Sequence, residues 1–238
     1  VLDAPLELER RVPDRRRSLR LQASRGILMP GGNLLLDLET VGVPSVEVAA
    51  ARVHENNLVS HLQGQRRSRT ARTLRVASER LVVGGGRNER VRTALDLRAI
   101  LGGASGGDVR PGIHHLTVAG TGHRWQRDRA VVTITDLAIT TRREHGGIVA
   151  WVTSLASGEP VAGATVSART ANDQLMAEAE TDADGVARLV LPAVRPDGDP
   201  WVIIARHGDD LSYLQPERRP LVIDRVDQSG RPHPDRFD

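Results

Sequence analysis

Cysteine and lysine are absent from this 238-residue sequence, and aromatic residues are scarce. Without cysteine, the chain has no disulfides, no thiolate metal site and no cysteine nucleophile. No apolar run approaches the roughly 18 residues that a membrane-spanning helix needs, so we expect no membrane insertion. All 33 basic residues are arginine, which raises the isoelectric point to about 10.6 although the formal net charge is only +3. Arginine stays protonated at pH values where lysine titrates.

The charge is distributed unevenly along the chain. Residues 1–120 contain 19 Arg and 12 acidic residues, whereas residues 121–238 contain 14 and 18. A basic half favours nucleic acid or an anionic membrane as a partner. Binding of single strands relies on aromatic side chains on which bases stack, and the first 120 positions contain no Phe, Tyr or Trp. We therefore expect no nucleic-acid partner and attribute the arginine content to genome composition.

The strongest secondary-structure signal lies in residues 148–191. Three short runs at 149–153, 164–168 and 186–191 alternate apolar and polar residues, as strands with one buried face do. Two segments rich in Gly, Asp, Ser and Pro, at 157–160 and 181–185, separate them and supply positive-φ and Asx-turn positions. We expect Gly185 at positive φ in a hairpin between a strand ending near Glu180 and the strand that starts at Val186.

The same reasoning predicts an all-β fold for the whole chain, as two tandem antiparallel β-sandwiches. Turn signals recur every 8–12 residues or so, which is typical of sandwiches rather than of alternating strands and helices. We expect a connector at 1–14, a first sandwich at 15–121 and a second at 122–238, joined near Gly120–Gly122. The further predicted strands are 19–23, 34–38, 46–53, 73–77, 91–97, 114–119, 131–134, 201–205 and 221–224. Single helical turns are predicted at 57–63 and 97–101, and loops at 84–86 and 102–107.

Five ordered segments of the second half resemble a macroglobulin-like (MG) domain of the bacterial alpha-2-macroglobulins. They are Val132–Leu137, Val152–Val166 with its Gly-Glu-Pro-Val-Ala-Gly run, Thr181–Ala187, Ile204–Leu214, and Gly230-Arg231-Pro232. In the first half, Val53–Leu58, Leu95–Arg98 and Pro111–Leu116 resemble the preceding MG domain, with an Arg-rich insertion at about 65–75.

This resemblance implies two consecutive MG frame domains of a periplasmic or cell-envelope protease-trapping inhibitor. Its partners would be neighbouring MG domains of the same chain and, through the full-length parent, target proteases. The chain begins at Val1 without a signal peptide, and we expect it to be a segment of a longer protein. The alternative is a β-sandwich spacer or binding module of an adhesin-like surface protein; an enzyme is a third hypothesis.

Each residue pattern that suggests chemistry also has a structural interpretation, which we favour. Asp182, Asp184 and Gly185 resemble half of a calcium loop, but the segment that follows lacks the remaining oxygen ligands. Adjacent His114 and His115 face opposite sides of a strand, so they do not chelate one ion; we expect one at the core edge and the other in solvent. We therefore predict no catalytic, cofactor-binding or metal site.

The remaining candidates have the same outcome. The acidic residues Asp197, Asp199, Asp209 and Asp210 lie beside Gly or Pro in predicted loops. The Gly84–Arg87 run follows a strand but has neither phosphate-loop nor dinucleotide spacing. Ser154 and Ser157 lack a nucleophile elbow. We expect Trp151 to anchor the core of its sandwich.

Overall fold

The computed structural model describes residues 13–22, 25–63, 73–102, 109–196 and 198–216. Parts of three predicted segments lie outside these residues: 1–12 of the connector at 1–14, 65–72 of the Arg-rich insertion at about 65–75, and 103–107 of the loop at 102–107. Asp197, the predicted strand at 221–224 and the segment Gly230-Arg231-Pro232 also lie outside them. Within them the chain is built from fifteen strands and two short helices, arranged as four sheets. The predicted all-β sandwich fold is confirmed.

The first module comprises eight strands in two sheets. In chain order the elements are β1 Ser18–Leu21, β2 Arg25–Leu28, β3 Leu35–Val41, β4 Ser45–Val53, a 3₁₀ turn Glu55–Asn57, α1 Leu58–Leu62, β5 Thr73–Val82, β6 Arg90–Asp96, α2 Leu97–Gly102, β7 Gly112–Gly120 and β8 His123–Ile134. One sheet has the order β1-β3-β6 and the other β2-β8-β7-β4-β5. Alternate residues such as Leu36 and Leu38 on β3, and Val46 and Val48 on β4, point into the core between the sheets.

The second module is a smaller sandwich of seven strands. These are β9 Leu137–Glu144, β10 Gly147–Ser154, β11 Thr165–Arg169, β12 Leu175–Glu180, β13 Val186–Val190, β14 Val202–His207 and β15 Asp210–Leu214. The sheets have the orders β13-β10-β9 and β12-β11-β14-β15. Their core includes Ala150 and Val152 from one sheet and Val166, Ala168 and Ile203 from the other.

The structure moves the boundary between the modules. Residues 120–122 form the turn of the β7–β8 hairpin, whose strands pair from Gly112 with Ile134 to Gly120 with His123. The predicted junction is therefore a turn inside the first module, and the chain passes to the second pair of sheets after Ile134. The Gly-Thr-Gly run does form a turn, but a local turn signal does not distinguish a hairpin from a linker.

Two pairings also differ from expectation. β12 and β13 belong to different sheets, so the Thr181–Gly185 turn connects the two layers of the sandwich rather than closing a hairpin. The edge strand β2 pairs with β8 in parallel, the one parallel pair among the described strands. The sequence did not predict strands β2, β9 and β15, because apolar and polar residues alternate only weakly along them.

Trp151 is not a core residue. On β10 the core side chains are Ile148, Ala150 and Val152, and Trp151 points to the opposite face, where it lies half-buried between Thr140 on β9 and Val186 on β13. Because side chains alternate along a strand, a tryptophan next to a buried valine in sequence faces away from it. The expectation of a core anchor is therefore wrong.

Candidate functional site: the interface between the modules

Strand β14 is buried on both of its faces over residues Val202–Ala205. Ile203 and Ala205 point into the core of that module, while Val202 and Ile204 point outward and are nevertheless 0% and 1% exposed. Leu211 and Tyr213 on β15 extend the same outward face, since Ile204 pairs with Tyr213. An outward face this apolar needs a cover, and the first module provides it.

The covering surface is one end of the five-stranded sheet together with α1. Val53 on β4 and Ile113 on β7 are cross-strand partners on the outer face of that sheet, and Val131 on β8 lies beside them. The chain leaves β4, makes the 3₁₀ turn and forms α1, which adds Leu58 and Val59, both fully buried. These residues and the outward face of β14 and β15 form one apolar cluster.

The two histidines of β7 lie near this cluster. His115 is half-buried and its ring meets the ring of His61 on α1 edge to face, with the centroids 5.2 Å apart. His114 points to the other side and is 4% exposed. Burial lowers the pKa of His114 to about 4, and the nearby Arg52 guanidinium adds to this effect, while the backbone of Arg110 opposes it. The expected opposite orientation is correct, but neither side chain is fully in solvent.

Polar contacts surround the apolar cluster. The Gln63 side-chain amide donates to the backbone carbonyl of Ala171, and the Arg169 guanidinium lies 3.8 Å from the Glu55 carboxylate. Arg169 also approaches Asp173 at 3.4 Å, so one arginine connects a loop of the second module to the turn before α1. A contact with an apolar centre and a polar rim is the arrangement found in stable protein interfaces.

The connection at residues 135–136 is held by hydrogen bonds to both modules. The Thr135 amide donates to the Leu28 carbonyl at 3.0 Å, and the Asp136 amide donates to the Asp210 carboxylate at 2.8 Å. The Asp136 carboxylate in turn accepts from the Ala156 amide at 2.8 Å. Residues 135–136 are therefore hydrogen-bonded to both modules. Together with the apolar cluster, this fixed corner of the chain defines the angle between the sandwiches.

The Asp, Gly and Ser residues that were candidates for chemistry have structural roles. One Asp182 carboxylate oxygen accepts from the amides of Asp184 and Val186, at 3.0 and 2.9 Å, which caps the turn as expected. Gly185 has φ +71°, as predicted. Asp199 lies 2.8 Å from Arg195 and 3.4 Å from Arg143, and these arginines, Arg195 foremost, lower its pKa. Ser154 and Ser157 accept backbone hydrogen bonds within their own turn.

No three His, Asp or Glu side chains converge on a common point in the part of the chain that the structure describes. The described helices are all too short to cross a membrane. Two sequence signals marked the interface: the apolar run of residues 202–205, which is too continuous for a half-buried strand, and the predicted helical turn at 57–63. The sequence does not indicate that these two segments meet.

Residues 134–233 match the model of the bacterial alpha-2-macroglobulin MG3 domain. The match begins at the last residue of β8, where the structure places the passage between the modules. The chain carries a bacterial alpha-2-macroglobulin MG3 domain. This MG3 domain corresponds to the second module, and the resemblance seen in residues 132–232 is confirmed.

Both modules are similar in fold to solved parts of such proteins. A crystal structure of native alpha-2-macroglobulin from Escherichia coli spanning domains NIE-MG1 superposes with a TM-score of 0.69 at 20% identity, covering 84% of this chain and 97% of that one. The Salmonella alpha-2-macroglobulin reacted with methylamine gives 0.62 at 19% identity, covering 85% of this chain and 12% of that one. No curated protein sequence matches the chain. The chain thus spans about one eighth of the length of the Salmonella protein.

Proposed function

We propose that the two modules are consecutive frame domains of a bacterial alpha-2-macroglobulin-type inhibitor that traps proteases. The MG3 match and the two-module likeness to the Escherichia coli NIE-MG1 structure support this proposal. The chain would do no chemistry of its own and would act in the periplasm or cell envelope. Its partners would be neighbouring domains of the same polypeptide and, through the parent protein, the target proteases.

The observation that carries the mechanical role is the buried interface between the modules. Val202 and Ile204 are 0% and 1% exposed, and they lie in one apolar cluster with α1 and the outer face of the first module. A frame must transmit movement from one domain to the next, and a buried apolar contact does so because packed surfaces do not deform continuously. The fixed corner at 135–136 acts in the same way.

The test compares protease protection by the full-length parent and by an interface variant. Ile204→Asp buries an uncompensated carboxylate between the modules, so we expect the parent to protect a bulky protein substrate less well. The matched control is Thr140→Asp, which places the same group on an exposed strand position of the same domain. This control variant should protect as the parent does.

The isolated 238-residue chain should inhibit no protease in the same assay. Protection by the isolated chain would instead identify an independent inhibitor domain. A parent that protects no substrate at all would contradict the proposal and favour the spacer or adhesin hypothesis. Equal protection by the Ile204→Asp and Thr140→Asp parents would show that the interface has no role in inhibition.

A further inference from the structure

An open groove lies at the end of the first module, at the opposite end of β4 from the interface. It is formed by residues 14–17, the β3–β4 turn at Gly42–Pro44 and the β5–β6 loop at Gly85–Asn88, and it encloses about 520 Å³. Gly85, Gly86 and Arg87, from the glycine run without phosphate-loop or dinucleotide spacing, form one wall. The groove is remote from every contact that the frame role uses.

The walls of the groove are predominantly basic. Arg15, Arg17 and Arg87 line it, and Asp14 is the one acidic residue among its lining side chains. The backbone amide of Arg15 donates to the Asn88 side chain at 2.7 Å, but its guanidinium forms no ion pair with any residue that the structure describes. The Arg17 side chain lies against Gly42, where an added Cβ would come within 3.2 Å of its Cγ.

The groove already holds one carboxylate. Asp14 accepts hydrogen bonds from the Asn88 side-chain amide at 2.8 Å and from Arg87. The hydrogen bond from Asn88, followed by that from Arg87, lowers the pKa of Asp14. The loop that presents these donors has a defined conformation, since Asn88 has φ +70° and the Gly86 amide donates to the Glu89 carboxylate at 2.8 Å. These walls therefore have the chemistry that recognises carboxylates.

An arginine-rich strip continues from the groove across the three-stranded sheet. Glu39 on β3 lies 3.6 Å from Arg90 and 3.3 Å from Arg92, and it pairs in register with Arg20 on β1. Three arginines thus flank one carboxylate, and Arg20 forms no ion pair within the described part of the chain. These arginines extend the row of guanidinium groups from the groove onto the three-stranded sheet.

We propose that this groove and the adjoining strip bind an acidic peptide segment of a partner protein. Planar guanidinium groups form bidentate contacts with carboxylates, and several in a row match successive acidic side chains of an extended peptide. Single-stranded nucleic acid fits less well, because the first 120 residues contain no aromatic side chain on which bases stack. The proposal does not depend on the inhibitor role.

The experiment uses a peptide of eight glutamates as the probe and a peptide of eight glutamines as its uncharged counterpart. Each is titrated into the 238-residue chain at low ionic strength, by calorimetry and by amide chemical shifts. We expect the glutamate peptide alone to bind, with affinity falling as salt is added, and with shifts at Gly42, Gly85 and Gly86. The double variant Arg15→Gln/Arg17→Gln should bind at least tenfold more weakly.

The control is the double variant Arg142→Gln/Arg188→Gln, which removes two exposed arginines from β9 and β13 of the MG3 domain. It should bind the glutamate peptide as tightly as the unsubstituted 238-residue chain does. Melting temperatures equal to that of the unsubstituted chain show that the variants fold. If the Arg15/Arg17 double variant melts early, the single variant Arg15→Gln replaces it. Equal losses in the two double variants, equal binding of the two peptides, or shifts confined to other residues would each overturn the proposal.

Discussion

Gly185 combines two constraints at the scale of a single residue. Its φ of +71° disfavours any side chain, and an added Cβ would lie 2.5 Å from the Val152 carbonyl oxygen and 3.0 Å from Pro160. Gly158 has a similar φ of +76°, but a Cβ added there would meet no atom within 4 Å. The pair therefore separates the effect of backbone conformation from the effect of close approach.

We predict that Gly185→Ala destabilises the chain clearly more than Gly158→Ala does. The Gly158 variant should lose about 1 kcal/mol from the backbone alone, and the Gly185 variant should lose that amount and a further cost of displacing the β10 backbone. Gly185→Val should be at least as severe. Urea unfolding of the three variants measures the difference, and equal midpoints for Gly185→Ala and Gly158→Ala would refute the steric argument.

His114 gives the chain a predictable response to acid. Its pKa is lowered from 6.5 to about 4 in the folded state, chiefly by burial, so the unfolded chain binds a proton at a higher pH than the folded chain does. Above pH 6.5 the His114 side chain is neutral in both states and does not change the free energy of unfolding. As the pH falls from about 6.5 to about 4, the unfolded chain takes up the proton first, so the free energy of unfolding declines by up to roughly 3 kcal/mol.

The prediction is tested by the slope of unfolding free energy against pH between 7 and 4.5. The slope should flatten in His114→Gln, whatever the absolute stability of that variant. His145, which is exposed in the β9–β10 turn, supplies the control, and His145→Gln should keep the parent slope. A parent-like slope in His114→Gln would assign the acid response to other groups.

At the scale of the element, β10 illustrates how one strand serves two surfaces. Ile148, Ala150 and Val152 point into the core, and Val149 and Trp151 point outward on the three-stranded sheet. Leu189 on β13 pairs with Ile148 and is 1% exposed. The core of this small sandwich thus depends on medium-sized aliphatic side chains rather than on its tryptophan.

We therefore expect Leu189→Ala to destabilise the MG3 domain more than Trp151→Ala does. The leucine variant leaves a cavity in the core and should lose about 2–5 kcal/mol, whereas the tryptophan variant removes a half-buried side chain that borders solvent. Thermal melting of the two variants ranks them directly. A larger loss of stability for Trp151→Ala than for Leu189→Ala would contradict this ranking. It would show that the tryptophan stabilises the domain although it faces away from the core.

At the scale of the whole molecule, the interface makes the two sandwiches thermodynamically dependent on each other. Leu58 and Val59 from the first module and Val202 and Ile204 from the second are buried in one apolar cluster to which both modules contribute. The apolar surface that each module buries on the other contributes about 25 cal/mol per Å² to the stability of both, so neither sandwich is expected to melt long before the other.

Scanning calorimetry of the 238-residue chain should accordingly show one unfolding transition. Ile204→Asp should split it into two, because each module then unfolds with its own core and its own midpoint. Thr140→Asp, on the exposed face of β9, should leave a single transition. Two transitions in the unsubstituted 238-residue chain would mean that the modules are coupled only through the linker.

The sequence determined those features that depend on local chemistry. Alternation along β3, β4 and β10, the turn at residues 181–185 and the helical turn at 57–63 were predictable because strand periodicity and turn residues act over a few positions. The ordered segments of the second half were enough to indicate the MG family, and the absence of cysteine was enough to exclude thiol chemistry.

Tertiary structure decided everything that depends on which faces meet. Gly120–Gly122 is a hairpin turn, because β8 pairs with β7 along its length. Trp151 lies outside the core because the sheet pairing fixes the register of β10. The burial of Val202 and Ile204 follows from α1, some 140 residues earlier in the chain, lying against them. Contacts at such separation are set by the packing of whole sheets, and no local pattern encodes them.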